Sequence, residues 1–147
     1  MKIDVTSEIE IERPRAVVAA FSADPDNVPR WYVNIKSVEW KTPRPATVGS
    51  RIAFVAQFLG RRLAYTYEIA ELAPGERLVM RTAEGPFPME TSYSWRDAGE
   101  GRTRMALRNC GAPGGFSRLM SPFMAFAVRR STDRDLLLLK TILEATD

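Results

Sequence analysis

No histidine occurs in the 147 residues of this chain. That absence removes the commonest general base near neutral pH, the Ser–His and Cys–His nucleophile pairs, and most zinc sites. Any chemistry has to run on Asp, Glu, Tyr, Lys or Arg, or on a borrowed cofactor. There is one cysteine, Cys110. No internal disulfide can form, and a reducing, cytoplasmic setting is expected. No uncharged apolar run approaches the ~20 residues of a membrane span. No cluster of side chains has metal-ligand spacing, so neither a metal nor a cofactor is expected. "GAPGG" (111–115) lacks the lysine and the strand context of a phosphate-cradling loop. A basic stripe is missing too. The 21 basic residues, only four of them lysine, face 18 acidic ones. The arginines run from Arg13 to Arg134 among Glu and Asp, which argues against a nucleic-acid partner.

What is present is an ordinary soluble composition, 45% hydrophobic and 27% charged, long enough for one domain spanning 1–147 with its own core. "KIDVTSEIEIE" alternates and carries acids, so it reads as a first strand and not as a signal peptide. "RPRAVVAAFSA" has helical spacing, with Pro14 in its first turn. Asp24 before Pro25 marks a second, short helix, ended by Trp31 and Tyr32. Strand patterns follow over 35–42, 50–58, 62–72, 76–83, 89–96 and 102–110, joined by short turns such as the hairpin at Leu59–Arg61. Short turns between consecutive strands make antiparallel neighbours. After the glycines, 116–145 reads as one helix on the order of 45 Å long, kinked or split near Pro122. The fold class is therefore α+β: a seven-stranded antiparallel sheet, two short helices between strands 1 and 2, and one long C-terminal helix to cover the sheet.

"METSYSW" (89–95) shows what that sheet offers. Alternation puts Met89, Thr91, Tyr93 and Trp95 on one side and Glu90, Ser92 and Ser94 on the other. Extended to the other strands, the inner face holds Val38, Trp40, Ile52, Phe54, Phe58, Leu63, Tyr65, Tyr67, Ile69, Leu78, Met80, Thr82, Met105, Leu107 and Asn109. The outer face holds Arg51, Arg62, Glu68, Arg81, Glu90, Arg104 and Arg108, an ordinary solvated arrangement. Three phenols and three short polar groups among the inward residues are more than a plain core uses. An unpartnered buried polar group costs about 1–3 kcal/mol. They either pair with one another and reach the rim, or line a small-molecule pocket.

On the helix, Phe116, Met120, Phe123, Met124, Ala127, Leu138 and Ile142 share a face. Ser131 falls near its middle, with Arg134 and Asp135 at the edges. If it points inward, Asp135 is the best acid/base candidate, with Arg134 or Tyr93 as its partner. Its alternative is an outward lean into surface ion pairs. Expected ligand contacts are Trp40, Phe54, Phe58, Tyr65, Tyr67, Met80, Thr82, Met89, Thr91, Tyr93, Met105, Leu107, Asn109, Met120, Phe123, Met124, Ala127, Ser131 and Asp135. Leu119, Phe126 and Leu137 lie on the opposite side of the helix and suit a homodimer contact.

The segments "IERPRAVVAAFSADPDNVPRWY", "VGSRIAF", "YEIAELAPGERLVMRT" and "DLLLLKTILE", in this order and spacing, resemble the START-like SRPBCC superfamily, especially its polyketide cyclase/dehydrase-type members. The resemblance covers essentially the whole chain. It implies the helix-grip fold, in which the sheet grips the long helix around a hydrophobic cavity. The expected function is binding of a hydrophobic or aromatic molecule (a lipid, polyketide or aromatic compound) in that cavity. The alternatives are a cyclase or dehydratase working by positioning and acid/base groups, and a protein-interaction domain of the co-chaperone type.

Overall fold

The computed structural model of the protein describes residues 2–112 and 121–145. Seven strands form one antiparallel sheet in the order β1-β7-β6-β5-β4-β3-β2. They are β1 (Ile3–Ile11), β2 (Ile35–Trp40), β3 (Arg51–Phe58), β4 (Arg61–Ala73), β5 (Arg77–Glu84), β6 (Met89–Asp97) and β7 (Thr103–Gly111). Between β1 and β2 run α1 (Arg15–Ser22), a single 3-10 turn (Pro25–Asn27) and α2 (Val28–Trp31). The chain closes with α3 (Ser121–Glu144), which packs along β1. This is the helix-grip architecture expected from the sequence.

Local chemistry accounts for the joints. Asp24 accepts a bond from the Asp26 amide at 3.0 Å, capping the 3-10 turn where Pro25 supplies no amide. The β3–β4 hairpin has only Leu59 and Gly60 between the paired residues Phe58 and Arg61, and both have positive φ, 50° and 76°. That is the left-handed pair a two-residue hairpin needs to match strand twist. In β4 the register shifts between Ile69 and Glu71. This bulge lets both Ile69 and Leu72 pair with the inward residues Met80 and Leu78.

The outward face carries ion pairs across neighbouring strands: Arg108–Asp4 at 2.6 Å, Arg81–Glu90 at 2.8 Å, Arg51–Glu68 at 3.1 Å and Arg104–Glu8 at 3.4 Å. They keep this face solvated and contribute little each. The inward face makes the core, with Ile11, Val18, Trp31, Ile52, Ile69, Met105 and Leu139 closed to solvent.

The helix meets the sheet with a different face from the one its apolar residues suggested. Met124, Thr132, Asp135, Leu136, Leu139 and Leu143 are buried, while Phe123 is 51% exposed. The buried stripe is turned by about one residue, roughly 100°, from the line through Phe123 and Ala127. Leu136, Leu139 and Leu143 fill it, and Thr132 and Asp135 on the same side find hydrogen-bond partners inside. Phe116, Leu119 and Met120 lie outside the described residues, as does any break ahead of Pro122. Phe126 and Leu137 are exposed, as the dimer expectation requires. Arg130, Asp133 and Arg134, also exposed, lie among them. No helix among the described residues is long and apolar enough to cross a membrane.

Candidate ligand cavity

Between the open half of the sheet and the first turns of α3 lies a cavity of about 160 Å³. Phe54, Tyr65, Tyr67, Met80 and Tyr93 wall it from the sheet, and Met124, Val128, Ser131, Thr132 and Asp135 from the helix. Phe58, Pro86 and Phe87 stand where it meets solvent, at the hairpin and turn ends of the strands. Alternation aims the sheet residues inward, and the cavity persists because α3 packs tightly only farther along, where Leu136, Leu139 and Leu143 fill the space.

Most of the inward polar groups are paired with one another and also line the void, while the Tyr65 hydroxyl makes no hydrogen bond among the described residues. Tyr67 Oη and Thr91 Oγ1 are 2.8 Å apart; Thr91 donates to Asn109 Oδ1 at 2.7 Å, and Asn109 Nδ2 donates to Thr132 Oγ1 at 3.4 Å. The chain thus crosses from β4 through β6 and β7 to α3. Tyr32 and Tyr93 share a hydrogen bond at 2.6 Å. Asn34 donates to Ser131 at 2.8 Å, and Thr82 is satisfied by the Met89 main chain. Burial pushes the phenols up, Tyr67 to about 12 and Tyr32, Tyr65 and Tyr93 clearly above the usual range. All four are neutral at physiological pH.

Asp135 points inward. It is 4% exposed, and its Oδ1 accepts the Val33 amide at 2.9 Å. Burial raises its pKa to about 6, against the opposing pull of the Val33 amide and of Arg134. Arg134 itself is exposed, so it does not form the inward acid/base pair with Asp135. Tyr93, by contrast, lines the same void.

Of the expected contacts, Phe54, Phe58, Tyr65, Tyr67, Met80, Thr82, Met89, Thr91, Tyr93, Asn109, Met124, Ser131 and Asp135 are brought together here. Five are elsewhere. Met105 and Leu107 are closed into the core, where β7 faces Trp95 and Tyr93 in register. Phe123 and Ala127 fall off the cavity through the turned helix face. Trp40 sits at the far end of β2, its indole donating to Asp26 at 2.9 Å beneath the guanidinium of Arg44. It borders a second, alanine-rich recess beside α1, whose Asp26 is already held by Arg44. Met120 lies outside the described residues.

Tyr32, Asn34, Ile35 and Val28 complete the wall and were not expected. They come from α2 and the start of β2, where no long periodic pattern exists. The aromatic pair Trp31–Tyr32 with a polar Asn34 just beyond was the available signal.

The wall also depends on a glycine. Gly85 has φ of 157°, and a Cβ there would stand 2.9 Å from Tyr65 Cβ and 3.2 Å from Thr82 Cγ2. Gly85→Ala should therefore push Tyr65 into the cavity and cost about 1–3 kcal/mol. Urea unfolding reads this directly: an unchanged midpoint would show that the turn relaxes without moving Tyr65.

A curled antiparallel sheet around a long helix, with a lined void between them, defines a helix-grip domain. A family model described as polyketide cyclase / dehydrase and lipid transport matches residues 2–144, and the chain belongs to that family. Similar solved structures include the protein TTHA0849 from Thermus thermophilus, with a TM-score of 0.83, 20% identity and 97% and 98% of the two chains covered. A START superfamily protein from Mycobacterium smegmatis follows at 0.82, 12% identity and 97% of both chains. The Zhui aromatase/cyclase from a Streptomyces species aligns at 0.79, 16% identity, over 98% of this chain and 94% of the other. At such identities the likeness is one of fold. No curated protein matches the sequence.

Proposed function

We propose that this protein binds a small hydrophobic or aromatic molecule in the cavity between the sheet and α3. The observation that carries this reading is an apolar void of about 160 Å³, most of whose inward polar groups hydrogen-bond to one another. A void of that class, near the ~150 Å³ that holds benzene in an engineered core, suits a single ring. Family membership and the START-type neighbours support it. Cytoplasmic residence fits the single cysteine. The test is native mass spectrometry of the protein as purified, with extraction of anything bound. A co-purifying apolar or aromatic molecule is the expected result. An empty protein that also takes up none of a panel of fatty acids, sterols and phenols would sink the reading.

Tyr93→Phe separates a contact from a core residue. Loss of its bond to Tyr32 should cost about 1 kcal/mol of stability. Affinity for a phenolic ligand should fall by more than that, about tenfold or beyond. Equal affinity in titrations of variant and wild type would remove Tyr93 from the contacts.

One observation favours a second reading, an enzyme of the cyclase or dehydratase kind. Asp135, with a pKa of about 6, stands on the same void as Tyr93 and is tuned as an acid/base group would be. On that reading Asp135→Asn abolishes turnover of a polyketide-like substrate, and undiminished turnover would dismiss it.

A further inference from the structure

We propose that the cavity selects an aromatic amine in its ammonium form, with Asp135 as the counter-ion. This rests on the ligand-binding reading above and narrows it to a chemical class.

The first ground is charge. Among the described residues lining the cavity, Asp135 is the one whose side chain is ionised at neutral pH, and no Lys or Arg accompanies it. Its Oδ1 is fixed by the Val33 amide, while Oδ2 takes no hydrogen bond from any described residue. The groups that face it are phenols held neutral by burial: Tyr32 at the end of α2, Tyr65 on β4 and Tyr93 on β6. On its own helix Arg134 is exposed. A carboxylate so placed has no ion pair among the described residues and feels only the weaker pull of exposed Arg134. Its desolvation has already been met in folding, so an incoming ammonium recovers the Coulomb attraction without a second protein-side penalty.

The second ground is the wall itself. Tyr65 and Tyr67 meet edge-on at 5.0 Å, with Phe54 at 5.9 Å and 6.1 Å from them. These rings offer π faces, which attract cations. Hydrogen-bond donors are scarce by comparison. The Tyr67–Thr91–Asn109–Thr132 chain and the Asn34–Ser131 bond engage most donors, leaving the Tyr65 hydroxyl, which makes no hydrogen bond among the described residues, and one proton of the Tyr32–Tyr93 pair. An anionic guest needs several donors. An ammonium needs acceptors and ring faces, and these are what the cavity presents.

Three single-ring probes of nearly equal shape and different charge test this: benzylamine, benzyl alcohol and benzoate, titrated into the full chain by calorimetry at about pH 7.5, where Asp135 is ionised. Benzylamine should bind at least about tenfold more tightly than benzyl alcohol, and benzoate should not bind. Lowering the pH to about 5 should erase most of the amine's advantage, because Asp135 takes up a proton while the amine keeps its own. Benzyl alcohol should be unaffected. Asp135→Asn should likewise remove the advantage of the amine over the alcohol. Equal binding of the amine and the alcohol, or a preference for benzoate, overturns the amine assignment and leaves the apolar-cavity reading standing. Binding of none of the three overturns both.

Discussion

Replacing Trp31 with alanine should cost about 3–5 kcal/mol of folding stability, and Trp31→Phe far less. The indole is closed to solvent, with Tyr32 at 4.4 Å and Tyr93 at 5.6 Å between ring centroids. Truncation to alanine would leave a hole behind both members of the hydrogen-bonded tyrosine pair. The pair could then shift off the cavity wall, so ligand affinity should fall along with stability. Phenylalanine keeps most of the packing. It also removes a burden, because Trp31 Nε1 has no hydrogen-bond partner among the described residues. An unpartnered buried N–H costs about 1–3 kcal/mol, which offsets part of the lost ring volume. The pair of variants is read by urea unfolding with a check that the m-value is unchanged. A loss under about 1 kcal/mol for Trp31→Ala would mean that the wall collapses without penalty, and that Trp31 does not brace the tyrosines.

The sheet was legible because its signal is local. Alternation in "METSYSW" assigns Thr91 and Tyr93 inward from their own spacing, and the cross-strand pairs Arg81–Glu90 and Arg51–Glu68 confirm the outward set. The cavity was legible only where strands supply it. On α3, apolar periodicity pointed to Phe123 and Ala127, yet the buried side runs through Thr132 and Asp135. Leu136, Leu139 and Leu143 share that side, and its polar residues find their partners, Asn109 and the Val33 amide, on segments 23 and 102 residues away in the chain. Periodicity sums hydrophobicity along one helix and contains nothing about a partner on another element. The same limit hid Tyr32 and Asn34. Each lies on a short connector whose place against the sheet is fixed by tertiary contacts, here to Tyr93 and Ser131. Met105 and Leu107 failed in the opposite way. Their inward orientation was right, but how far the void extends along β7 depends on where the helix touches down.

Asp135→Asn should make the protein more stable at neutral pH, by about 2–3 kcal/mol, and no more stable near pH 4. The carboxyl titrates near 3.8 when unfolded and at about 6 when folded, because burial disfavours its charged form. Between those two values the folded state binds more protons than the unfolded one. Unfolding free energy therefore falls as pH rises through that window, and the loss is complete above about 6. At about 1.36 kcal/mol for each pH unit between the two values, the total is about 3 kcal/mol. Asparagine escapes this penalty, and its carbonyl oxygen can still accept the Val33 amide. Wild type and variant should converge as the pH drops toward 4 and separate as it rises past 6, in urea unfolding across that range. A variant less stable than wild type at neutral pH would contradict the sign. A constant offset at every pH would show that packing and not charge sets the difference. The expected curve has a functional meaning. A charge that the fold would be more stable without, held against a wall of neutral rings, is destabilised until a cation arrives. Benzylamine should therefore raise the stability of the wild type near neutral pH, and should do much less for the asparagine variant.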